Sequence, residues 1–163
     1  MNYPGLRYLL QKYEGFQVIC VPCNQFGGQA PGTSDEERAI AIEKFKYPVT
    51  VVDKLLVNGP EADPLYKYLK SVQPVSLPNA AGKTAAQALS KDQGALEWNY
   101  TKFLCDKGGM PVKRFKSAFD PLEFEGDVRL LLAGKEVTPP ECVSHPGRKV
   151  CNVDRILQGT IDA

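Results

Sequence analysis

The stretch that most constrains this chain is residues 18–32, VICVPCNQFGGQAPG. It begins as an apolar run, Val18-Ile19-Cys20-Val21, and stops abruptly at Pro22. Polar amides and glycines follow, with Asn24, Gln25, Gly27, Gly28 and Gln29 inside seven residues of the break. An apolar run that ends in a Gly-rich polar loop is how a buried strand delivers functional groups to the edge of an α/β sheet. The pair Gly27-Gly28 permits turns that residues with a Cβ resist, and so can aim Gln29 back over the strand end.

The pattern around that loop alternates. Residues 4–13 read as a helix, with Pro4 in the first turn and Leu6, Leu9, Leu10 and Tyr13 at helical spacing. A strand at 17–21 follows. The next helix begins near Thr33 or Ser34, with Glu36 and Glu37 placed as capping-box partners, and runs to about Phe45 with Ile40 inward. Tyr47-Pro48 breaks it, and the β-branched run 49–52 reads as a second strand. After a turn at 57–60, Asp63-Pro64 opens a short helix through Tyr66, Leu69 and Val72. Residues 73–96 read as a loop or insertion, with a helical turn at 84–89. Residues 101–105 and 111–115 flank Asp106-Lys107-Gly108-Gly109 and predict a hairpin. A helix at 121–132 closes a domain of residues 1–134, and 135–163 reads as a tail. The order helix-strand-helix-strand-helix-hairpin-helix resembles a thioredoxin-like α/β fold without its leading strand.

Composition narrows the function. A chain of 163 residues suits one domain. With 20 basic and 19 acidic residues, it lacks the charge excess that a nucleic-acid partner would call for. No apolar run approaches the length of a membrane span, and Asn2-Tyr3-Pro4-Gly5 is no secretory signal. Five cysteines are too few and too irregular for a disulfide scaffold. The chain therefore reads as a soluble protein of a reducing compartment, cytoplasmic or organellar rather than secreted.

Four donors stand out: Asn24, Gln29, Trp98 and Asn99. Amide and indole N–H groups can stabilise a thiolate or selenolate, and the oxygen that leaves it, without adding a competing base. The plainer reading makes Gln29 a turn residue, Trp98 a half-buried anchor and Asn99 a strand-start cap. Neighbours in a regular strand point to opposite faces, so Trp98 and Asn99 can share a site only where the backbone is irregular. Cys20-Val21-Pro22-Cys23 has redox-pair spacing, but Cys20 lies in an apolar strand and no helix follows Cys23 until after Pro31. Buried, inert thiols fit better, and Cys105 reads as core. Cys142, His145 and Cys151 give three metal ligands without a fourth, so no metal site is assigned; a Cys142–Cys151 disulfide and unrelated thiols stay open. Lys113, Arg114 and Lys116 read as a solvated edge, with contact to an anionic thiol or lipid head group as the alternative.

Three long motifs then resemble one family. PCNQFGGQ at 22–29, VNGPEADPLYKYLK at 57–70 and WNYTKFLCDKGGMPVKRF at 98–115 are similar to the signature segments of the glutathione peroxidases, in colinear order over about residues 2–133. The resemblance implies that Gln29, Trp98 and Asn99 are three members of the family's catalytic tetrad, with Asn24 and Gln25 mainly structural. It places the fourth member, a peroxidatic cysteine or selenocysteine, upstream of Met1. The helix at 34–45 has no resolving cysteine, as in selenocysteine-type members reduced directly by glutathione. No long Gly-Pro insertion precedes residue 49, which resembles the compact, monomeric phospholipid-hydroperoxide type.

These features imply a peroxidase that reduces hydrogen peroxide or lipid and organic hydroperoxides in response to oxidative stress. It would bind no cofactor and use glutathione or another thiol as co-substrate. The expected state is a monomer, or a chain whose sheet a partner completes. A strand missing from the centre of the sheet would leave its neighbours with unpaired N–H and C=O groups. The natural protein is accordingly expected to be longer than this sequence. Two other readings stand beside this one: a peroxidase-like binding subunit without its nucleophile, and a dithiol reductant using Cys20 and Cys23.

Overall fold

In the computed structural model, which describes residues 2–77, 94–139 and 152–159, side chains that satisfy orphan N–H groups set most helix starts. Helix α1 spans Asn2–Lys12. Helix α2, Ser34–Phe45, starts at a full capping box: the Thr33 hydroxyl accepts from Glu36 N, and the Glu36 carboxylate accepts from Thr33 N at 2.7 Å. It ends at Lys46 in the left-handed region, just before Tyr47-Pro48. Helix α3, Pro64–Val72, has Asp63 as its cap and Pro64 in its first turn. Asp120 caps a 3-10 turn, Pro121–Phe124, that runs into α4, Glu125–Leu132. The single helix expected over 121–132 is thus two pieces. A short helix α5, Val153–Leu157, packs on α4 through an Arg129–Asp154 ion pair at 2.7 Å and the close approach of Val153 to Gly126.

The described strands form two separate ladders. Strands β1 (Ile19–Cys20) and β2 (Thr50–Val51) pair in parallel. Strands β3 (Lys102–Cys105) and β4 (Pro111–Phe115) form the expected antiparallel hairpin. Its turn is closed by Asp106, whose carboxylate accepts from Gly108 N and Met110 N. No ladder joins β1 to β3 among the described residues. Two hydrophobic cores correspond to the two halves. One packs Phe115 against Phe119 and Phe124 at centroid distances of 4.8 and 4.9 Å, together with Leu9 of α1 and Val128 of α4. The other gathers Phe26, Val57, Tyr66 and Leu69 around Cys23 and Leu96.

Three expectations fail, each for a local reason. Ile40 does not face inward; it is 43% exposed. Among the described contacts, α2 is held mainly through polar groups and Phe45: Arg38 reaches Val51 O and Asp53, and Ser34 accepts from Lys54 N. Cys105 is exposed rather than core: it follows the buried Leu104 and so takes the opposite face, where the ladder shifts register at Val112 of β4. Lys113 and Arg114 are not a solvated edge: both are fully buried. Leu77 bridges to the far side of β4, with Leu77 N donating to Arg114 O and Lys116 N to Leu77 O, so β4 is internal. The helical turn expected at 84–89 and the Cys142, His145 and Cys151 cluster lie outside the described residues.

The Lys113 ammonium donates to Asp127 at 2.7 Å and to the Thr138 hydroxyl at 2.9 Å. The other Asp127 oxygen accepts from Thr138 N and its hydroxyl. Removing one charge of such a pair costs about 3–5 kcal/mol, whereas replacing both by apolar groups costs far less. Asp127→Ala should therefore lower urea-unfolding stability by about 3 kcal/mol or more, and Lys113→Met with Asp127→Leu by clearly less. A loss under about 1 kcal/mol in the single variant would contradict the pairing.

Candidate active site

The loop after β1 is built by its own amides. Asn24 Oδ1 accepts from Ala30 N at 3.0 Å and so closes the loop around Gln29. Gly27 and Gly28 both take positive φ, +65° and +63°, which residues with a Cβ resist. The Trp98 ring lies against this loop, 3.5 Å from where a Gly27 Cβ would sit and 5.9 Å from the Phe26 ring centroid.

Residues 98–100 form a turn rather than a strand, and Tyr100 has a positive φ of 58°. This supplies the irregular backbone that lets Trp98 and Asn99 face one place. Asn99 Nδ2 donates to Gln29 Oε1 at 2.7 Å, across 70 residues of chain. With its carbonyl engaged, Gln29 keeps its NH₂ group as a donor. The indole of Trp98 is 47% exposed. Asn99 thus meets Gln29 directly, and the Trp98 ring packs on the nearby Gly27. Asn24 holds the loop that carries Gln29.

A residue that sequence reasoning placed elsewhere sets the position of this turn. Arg114, 1% exposed, donates to Pro74 O, Gly94 O and Ala95 O and to Glu97, at 2.7 to 3.1 Å. Glu97 also accepts from the buried Ser76 hydroxyl. The guanidinium therefore binds the segment immediately before Trp98 and lies 5.6 Å from the Phe103 ring centroid. Burial pulls the Arg114 pKa down, partly offset by Glu97. No local signal marks this burial, since two adjacent cations in a strand read as a solvated edge.

The described thiols do not form a redox pair. Cys20, Cys23 and Cys105 are all free. Cys23 is buried, and its sulfur accepts from Gln25 N. Burial pushes the Cys20 thiol up to about 11. The described residues contain no cluster of three or more His, Cys, Asp or Glu side chains able to hold a metal ion.

A family model described as "Glutathione peroxidase" matches residues 1–70. The "Glutathione peroxidase homolog" of Neisseria meningitidis is 40% identical over 138 residues, covering 80% of this chain and 78% of that protein. The chain belongs to the glutathione peroxidase family. It is also 42% identical over 133 residues to the Helianthus annuus protein named "Probable phospholipid hydroperoxide glutathione peroxidase", covering 80% of this chain and 66% of that one. For the Arabidopsis thaliana "Phospholipid hydroperoxide glutathione peroxidase 1, chloroplastic" the identity is 39%, over 81% of this chain and 50% of that one. The chain thus spans half to two thirds of the length of these plant relatives. Among solved structures, that of Trgpx in apo form superposes with a TM-score of 0.57 at 26% identity, covering 83% of this chain and 72% of that one. The structure of T. cruzi GPX1 gives 0.55 at 30% identity, covering 80% and 71%. These neighbours and the element order establish a thioredoxin-like α/β fold of the glutathione peroxidase type. No described helix is long and apolar enough to cross a membrane.

A thiol reacts as its thiolate; a pKa near 11 rather than 9 leaves about a hundredfold less of Cys20 ionised at pH 8, which the greater nucleophilicity of the more basic thiolate reduces to about tenfold in rate. Iodoacetamide labelling of Cys20, followed by peptide mass spectrometry, should be slower by about that factor than for a free thiol and should rise with pH through 11. Labelling of Cys20 at the rate of a free thiol at pH 8 would contradict this burial.

Proposed function

We propose that Gln29, Trp98 and Asn99 are the donor side of a thiol-dependent peroxidase site for hydrogen peroxide and lipid or organic hydroperoxides. The observation that carries this reading is the Asn99–Gln29 hydrogen bond, which brings two of the three donors together from opposite ends of the fold. A thiolate or selenolate attacks one peroxide oxygen and breaks the O–O bond. The nucleophile becomes a sulfenic or selenenic acid, and the second oxygen leaves as water or an alcohol after taking a proton. Two molecules of glutathione then restore the nucleophile, giving one disulfide and one water. The donors act on the charge: N–H groups at the nucleophile stabilise its anion and the oxygen that leaves, and none of the three is a base that would take up the proton.

On this reading the nucleophile is none of Cys20, Cys23 and Cys105. Burial disfavours the Cys20 thiolate, Cys23 is committed to Gln25, and Cys105 lies at the far end of β3 from Trp98. None of the described thiols then fills the peroxidatic position, and the 163-residue chain alone is inactive as a peroxidase. The sheltered Cys20 and Cys23 and the exposed Gln29 and Trp98 support that reading.

The test is a coupled assay of hydroperoxide reduction with glutathione. The 163-residue chain alone should give no turnover above buffer. In the protein carrying the peroxidatic residue, Gln29→Ala and Trp98→Phe should each slow the peroxide step by about tenfold or more with the fold intact by circular dichroism. Unchanged rates in both variants would overturn the assignment.

A further inference from the structure

The loop that carries Gln29 and the turn that carries Trp98 and Asn99 meet through a second route, away from the donors. The Gln25 side-chain amide forms a two-bond clamp with the backbone of Asn58. Its Nε2 donates to Asn58 O at 3.0 Å, and its Oε1 accepts from Asn58 N at 3.0 Å and from Val57 N at 2.7 Å. The Asn58 side chain repeats the device on the backbone of Leu96. Asn58 Nδ2 donates to Leu96 O at 2.9 Å, and Leu96 N donates to Asn58 Oδ1 at 2.8 Å. Each clamp satisfies both the N–H and the C=O of one residue, as a neighbouring strand would, and Gln25 takes the Val57 N–H as well.

These contacts close on themselves. Gln25 holds Asn58, and Asn58 holds Leu96. Two residues further along the chain are Trp98 and then Asn99, which bonds to Gln29, four residues from Gln25. The ring therefore joins three segments that the sequence separates by more than thirty residues each. Leu96 and Val57 are buried at its base, so it turns about a fixed apolar floor. From this we infer that Gln25 and Asn58 are positioning residues, which set the distance between the Gln29 loop and the Trp98–Asn99 turn. The inference rests on the reading of Gln29, Trp98 and Asn99 as the donor group. Turn residues that only stabilise the fold would act on unfolding alone; links in a ring act on the geometry of the remaining links.

Trp98 is the only tryptophan, so its emission reports this turn without labels. The experiment compares Asn58→Ala with Asn58→Asp, which keeps the acceptor for Leu96 N and loses the donor to Leu96 O. Val128→Ala, in the other core, is the control for loss of stability. Hydrogen exchange of the Asn99 side-chain amide, read by ¹⁵N NMR, should quicken about tenfold in Asn58→Ala, less in Asn58→Asp and not in Val128→Ala. Trp98 emission should shift in the same order. In the protein carrying the peroxidatic residue, kcat for peroxide should fall with the same ranking while KM for glutathione stays unchanged. Asn99 exchange and Trp98 emission unchanged in both Asn58 variants would overturn the inference, and Asn58→Asp keeps it testable if Asn58→Ala does not fold. The NMR and fluorescence arms need no catalysis. Loss of the peroxidase reading would instead appear as normal turnover in Gln29→Ala and Trp98→Phe, with the Asn58 effects on geometry intact.

Discussion

A guanidinium without water around it must be solvated by the protein, and at Arg114 that requirement shapes the molecule. Four of its N–H groups are taken up by Pro74 O, Gly94 O, Ala95 O and Glu97, while Nε has no partner among the described residues. Three backbone carbonyls can reach one fully buried cation only if the chain at 74 and at 94–95 curls around it. Gly94 takes a positive φ there, and a Cβ would meet the Pro74 backbone at 3.2 Å. The segment that enters Trp98 is thus fixed from one side by a cation and from the other by the Asn58 amide. Removing the guanidinium would leave several carbonyls and the Ser76–Glu97 pair without their partner, a far larger disturbance than loss of a surface charge.

The chemistry follows from what this clamping leaves open. Hydrogen-bond donors stabilise a developing anion only when they are already aimed at it and do not have to reorganise. Here Gln29 has its carbonyl occupied by Asn99, which fixes the orientation of its amide, and Trp98 is held between Phe26 and Gly27. The site is rich in N–H groups, and none of the three residues that form it is a proton acceptor at neutral pH. Such a set suits a nucleophile that reacts as its anion. The buried or committed thiols Cys20 and Cys23 are kept from competing with it.

Much of this was legible in the sequence. Local rules gave the caps at Thr33 and Asp63, the Asp106 turn and the hairpin, because each depends on residues within a few positions of one another. The donors Gln29, Trp98 and Asn99 were legible through the motif resemblance, and their meeting required the irregular turn at 98–100. What escaped depends on contacts far apart in the chain. Lys113 and Arg114 look like a surface pair until Leu77 covers the other edge of β4 and Asp127 and Glu97 supply carboxylates from elsewhere. Ile40 looks like a core residue, but α2 is anchored by Arg38 and Ser34 instead of an apolar stripe. Cys105 reads as core, but it follows the buried Leu104 and takes the opposite, exposed face. The pairing of Asn58 with Leu96 had no local signal at all.

The central claim is that peroxide chemistry takes place beside Trp98. Stopped-flow measurement of tryptophan emission tests it most directly, using the protein from its natural source, reduced and then mixed with hydroperoxide. The account predicts a single fast change in Trp98 emission, with a rate proportional to hydroperoxide concentration, that glutathione reverses. Consumption of hydroperoxide at a normal rate with no change in that emission would contradict it.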